Sequence, residues 1–170
     1  MRILALILAL VSAAASVAAG DARVPGSTDA RAATTEVRIV RVFTGWREAS
    51  SFKRISEYFT GREDTGGEVV LRTQPAARGG YYFLVRTDND GPARDARFRL
   101  EVVTPGATEP RHFDFATHLP AGNEVYQLGL TGADWPASTV SPMAWKLELV
   151  DAAGAPIATE KSYLWEKPAK

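Results

Sequence analysis

Cysteine is absent from the 170 residues, which excludes a disulfide framework, a lipidated cysteine and thiol chemistry together. Histidine occurs only twice, so imidazole acid–base chemistry has at most two positions to draw on. Net charge is lacking too: Lys plus Arg and Asp plus Glu each total 20. No bulk field therefore exists to draw nucleic acid or an anionic membrane. Arginines are dense between Arg47 and Arg99, but Glu48, Glu57, Glu63, Asp64, Glu68, Asp88, Asp90 and Asp95 are interleaved with them, the pattern of a solvated surface. No Gly-x-Ser-x-Gly elbow marks a nucleophilic serine. Gly66-Gly67 and Gly79-Gly80 lack the Lys-Ser/Thr or strand-to-helix setting of a phosphate loop. The expectation is a protein that is not an enzyme, uses no cofactor and binds no nucleic acid.

A leader-like apolar run stands at the start. Arg2 precedes Ile3 to Val11, and Val17-Ala18-Ala19 precedes Gly20. The run is too short to span a bilayer comfortably, and small residues follow it. Residues 1–19 read as a cleavable secretory signal peptide, with export to the bacterial periplasm or exterior and no transmembrane span after cleavage. Residues 20–35, rich in Ala, Gly, Ser, Thr, Asp and Arg, predict a flexible N-terminal segment. Residues 36–166 predict one domain, and 167–170 a polar tail.

Gly80 to Thr87 organises that domain. Tyr81, Phe83 and Val85 alternate with Tyr82, Leu84 and Arg86, so both faces carry large apolar groups, as in a central strand covered on both sides. Earlier, Val37 and Ile39 change phase to Val40 and Val42, predicting a bulge or a change of partner within a strand over 36–43. Later strands alternate cleanly. Ala96, Phe98, Leu100 and Val102 share one face, as do Tyr126, Leu128 and Leu130, and then Trp145, Leu147 and Leu149. Asp88-Asn89-Asp90-Gly91-Pro92, Pro105-Gly106 and Asp151 to Gly154 are turns by their composition.

One helical pattern interrupts the strands, roughly Trp46 to Thr60. Ala49, Phe52, Ile55 and Phe59 recur at three- and four-residue steps and predict a stripe packed on the core. Gly61 supplies the stop. Lys53 and Arg54 would oppose the helix dipole if they lay in a first turn, which favours a start near Thr44.

About eight short strands with turns every ten or so residues predict an all-β fold, an immunoglobulin-like or fibronectin-type β-sandwich with one short inserted helix at about 46–60. The closing hairpin and the Leu119-Pro120-Ala121-Gly122 turn resemble those of exported bacterial sandwich domains, a likeness of fold that covers Val69 to Trp165 and implies architecture alone. The function expected is a noncatalytic protein-interaction or structural module with an unknown protein partner. Two other sites are open. A glycan could stack on Trp135 in its loop with Tyr81 or Tyr82. His112 and Asp114 project to one side of a strand, and His118 could come round at its end to complete a metal site.

Overall fold

The computed structural model describes residues 36–166; the expected signal peptide, N-terminal segment and polar tail lie outside them. Eight strands form two four-stranded sheets, an all-β sandwich. The strands are β1 (Val37–Arg47), β2 (Val69–Arg72), β3 (Gly80–Asn89), β4 (Arg94–Val103), β5 (Arg111–Leu119), β6 (Gly122–Thr131), β7 (Ala144–Asp151) and β8 (Pro156–Lys161). One sheet runs β1-β3-β6-β2 and the other β5-β4-β7-β8. All pairings are antiparallel except β2 on β6.

The alternation in each strand decides which side faces the middle. Tyr81, Phe83 and Val85 of β3 and Tyr126, Leu128 and Leu130 of β6 point inward from the first sheet. Phe98, Leu100 and Val102 of β4 meet them with Leu147 and Leu149 of β7 from the second. Rings join the layers: Phe83 lies edge-on to Trp145, centroids 5.7 Å apart, and Phe98 to Tyr126 at 4.9 Å. Burying each such side chain is worth about 1.5–3 kcal/mol, and the edge-on geometry suits the ring quadrupoles.

The phase change early in the chain is a β-bulge, where the pairing of β1 with β3 shifts register between Ile39 and Arg41. The chain then passes from β3 to β4 through a corner tied by Asn89. Its amide donates to the carbonyls of Pro92 (3.1 Å) and Pro120 (2.9 Å) and its Oδ1 accepts from the Gly91 N–H, so a buried polar side chain is fully used.

The segment after β1 departs from the expected single helix. Trp46 and Arg47 belong to β1, residues 49–52 form one 3-10 turn, and Lys53 and Arg54 are extended. Only Ile55–Thr60 is α-helical, here α1. The dipole accounts for the late start, since the helix begins past the two cations with Glu57 in its first turn. Gly61 ends it in the left-handed conformation at φ 64°, its N–H bonded to Glu57 O, as expected of a C-terminal glycine.

Candidate docking surface

β1 and β2 are the two edges of one sheet, so the chain between them crosses that sheet's outer face. This strap, residues 48–68, is fastened by one aromatic side chain and a set of ion pairs. Phe52 is buried against Tyr82, ring centroids 4.8 Å apart. The guanidinium of Arg47 lies 4.3 Å from the Phe52 centroid and that of Arg72 lies 5.1 Å away, so the ring is held between two cations. Tyr82 donates its hydroxyl to Arg78 O (2.6 Å) and accepts from Arg72 Nε (3.0 Å). The second face of the central strand is thus covered by the strap over Tyr82, while Arg86 further along is exposed.

Glu57, Glu63 and Glu68 of the strap reach out of it, to Arg78, Arg72 and Gln127. Glu63 takes both terminal nitrogens of Arg72, at 2.9 and 2.6 Å, a bidentate arrangement. That pairing holds the Glu63 carboxyl below the usual range against the opposing effect of burial. Glu57 accepts from Arg78 Nη1 (2.6 Å) and from the Asp64 N–H (3.2 Å), and its pKa is likewise lowered, chiefly by Arg78. Asp64 accepts from the Ser56 hydroxyl and from the Gly66 N–H, which lower it in turn. Buried Gln127 accepts from Arg47 and donates to Glu68, linking β1, β6 and the strap. A cleft of about 140 Å³ remains beneath the strap. It is smaller than the roughly 300 Å³ at which small-molecule sites begin, and Arg47, Arg54, Glu63 and Glu68, which line it, are all engaged.

With the polar side of the strap committed inward, the apolar side of α1 faces out. Ile55 is 78% exposed, Tyr58 79% and Phe59 84%. Their spacing of three and four residues puts them on one face. Of the expected core stripe, Phe52 alone is buried, while Ile55 and Phe59 form a projecting apolar surface with Tyr58. Around them Lys53 and Arg62 are exposed, while Arg54 reaches Thr65 O at 3.3 Å and Glu68 at 3.9 Å. Other exposed apolar groups lie elsewhere: Phe43 carries the Arg41 guanidinium at 5.4 Å, and Met143 sits in the β6–β7 connection.

Of the residues considered for a glycan, Trp135 and Tyr81 are brought together but inside the core, and Tyr82 is buried on the other face of its strand. Trp135 is 2% exposed, its indole N–H donating to Val140 O (3.0 Å) and its ring 5.4 Å from that of Tyr81. Tyr81 lies on the core face, with its hydroxyl 3.1 Å from Thr44 Oγ1, and Tyr82 lies on the opposite face beneath Phe52. Burial leaves none of the three a free ring face for a sugar to stack on. Proline-flanked Trp135 broke the strand pattern in sequence because it closes one end of the core.

His112, Asp114 and His118 do share the outer face of β5, but the strand continues to Leu119 and does not bend back. At about 3.3 Å per residue the two histidines lie roughly 20 Å apart. Each also faces a residue of opposite character on β4: His112 opposite Glu101, Asp114 opposite Arg99 and His118 opposite Asp95. The His118 Nδ1 to Asp95 distance is 2.9 Å and the Arg99–Asp114 pair is 3.8 Å. Among the described residues no group of three or more His, Asp or Glu is placed to hold a metal ion. Lys146 completes the lattice between Glu148 (2.8 Å) and Glu101 (3.6 Å), so this outer face pairs its own charges.

No family model matches this chain, and neither does any curated protein or solved structure.

Proposed function

We propose that this chain is an exported, noncatalytic sandwich module of the fibronectin type that docks on its partner through the outward face of α1. The observation that carries the reading is the exposure of Ile55, Tyr58 and Phe59 together on a strap whose acidic groups are engaged with the sheet and with the strap itself. Three large apolar side chains held out on a braced six-residue helix cost solubility without adding to the core, which marks an interaction surface. The strand order supports the fibronectin-type description. β1, β3 and β6 stand as strands A, B and E, and β5, β4, β7 and β8 as C′, C, F and G, with β2 added beside E. Export rests on the leader-like residues 1–19.

The absence of cysteine supplies a direct test. Phe59→Cys and, on the opposite sheet, Thr159→Cys each introduce a unique thiol for labelling with a membrane-impermeant maleimide. In the producing cells the thiol of the Phe59→Cys variant is expected to react at least tenfold more slowly than in the purified protein. The thiol of the Thr159→Cys variant should react equally fast in both. Equal rates in both settings at both positions would refute the docking surface. Ile55→Ser/Tyr58→Ser/Phe59→Ser should meanwhile shift unfolding free energy by no more than about 0.5 kcal/mol, as for exposed positions.

A further inference from the structure

We infer that the surface docked by α1 is an anionic lipid headgroup layer, an inference that rests on the docking reading above. The strap sorts its charges by direction. Glu57 and Glu63 are held by Arg78 and Arg72, Asp64 by Ser56 within the strap, and Arg54 by Thr65 O and Glu68, whereas Lys53 and Arg62 stay exposed beside the apolar face. A chain with no net charge therefore presents a basic rim of two side chains, Lys53 and Arg62, beside this face.

Shape and area narrow the occupant. At 78–84% exposure the three side chains project rather than line a groove, so the counter-surface must yield to them. A second copy of the chain does not suit. Three side chains fall well short of the roughly 1,600 Å² typical of stable interfaces, and self-pairing would bring two basic rims together. A bilayer interface deforms around a projecting wedge, favours aromatic rings at headgroup depth and attracts Lys and Arg. Tyr58 and Phe59 supply the rings, Ile55 the aliphatic wedge, and Lys53 and Arg62 the attraction. No helix among the described residues is long and apolar enough to cross a membrane, so this contact is a surface one.

The test is co-sedimentation of the protein, as isolated from producing cells, with vesicles of POPC alone and of POPC:POPG 7:3. Each basic side chain near an anionic surface adds about fivefold to affinity, so two give roughly a 25-fold preference for the POPG vesicles at low salt. Ile55→Ser/Tyr58→Ser/Phe59→Ser should lose at least tenfold in binding. Lys53→Glu/Arg62→Glu should lose the POPG preference, and Met143→Ser, at an exposed apolar position elsewhere, should change nothing. Any binding carried by residues outside 36–166 is common to all these variants and cancels in the comparison. Equal binding by the triple-serine variant and the wild type would overturn the inference. So would failure to bind either vesicle; if the Phe59→Cys thiol were still shielded in cells, the docking surface would stand with a protein as its occupant.

Discussion

Tyr82 joins sheet and strap through a single ring, and the room for it comes from Gly129 on β6. A Cβ at position 129 would lie 2.5 Å from Tyr82 Cε1 and 2.7 Å from Cζ, nearer than carbon atoms approach. The ring cannot swing aside, because its hydroxyl is bonded to Arg78 O and Arg72 and its face is covered by Phe52. Gly129→Ala is therefore expected to destabilise the protein by about 1–3 kcal/mol, as other overpacking substitutions do, measured by urea unfolding. A loss below about 0.5 kcal/mol, the level of an unremarkable surface change, would mean that the ring has freedom these bonds deny it. The side chains that organise the strap were hardest to find in sequence. Gln127 and Arg72 sit at ordinary outward positions of their strands, and nothing local to either says that a crossing segment will cover it.

At the scale of the element, the strap is a carboxylate-dependent fastening. Glu63, Glu57 and Asp64 all have folded-state pKa values below their ordinary ones. Groups of this kind stabilise the folded arrangement fully above the ordinary carboxylate range of about 4, and the contribution falls away as pH drops toward the lowered values. Acid should thus loosen residues 48–68 before it unfolds the sandwich. Amide exchange, corrected for intrinsic rates, is expected to show strap protection falling as pH drops below about 4 while β4 and β7 keep theirs. Uniform loss across strap and strands would sink the idea. The 3.6-residue stripe was visible in the sequence, and so were the glycine stop and the awkward cations at 53 and 54. The direction the stripe faces was not, because a short amphipathic segment can turn its apolar side either way once one anchor, Phe52, is fixed.

At the scale of the whole molecule, the strand pairings form one core shared by both sheets, which predicts a single cooperative transition. For the 131 residues from 36 to 166 the calorimetric enthalpy should be about 90 kcal/mol near about 60 °C, at roughly 0.7 kcal/mol per residue, and should equal the van't Hoff value. A calorimetric enthalpy well above the van't Hoff value would show that the sheets melt separately.

The sequence by itself determined the all-β class, the inward sets of β4, β6 and β7, a break in the alternation of β1 and the turns between strands. Each of these follows from two-residue periodicity or from backbone preferences of glycine, proline and asparagine, which act over a few residues. Only the tertiary structure decided that Trp135 is core, that His112 and His118 stand about 20 Å apart, and that α1 turns its apolar side to solvent. Those outcomes depend on which distant residues share space. Phe52 meets Tyr82 and Arg72 meets Glu63 because β1 and β2 occupy opposite edges of one sheet, and no local pattern encodes that placement.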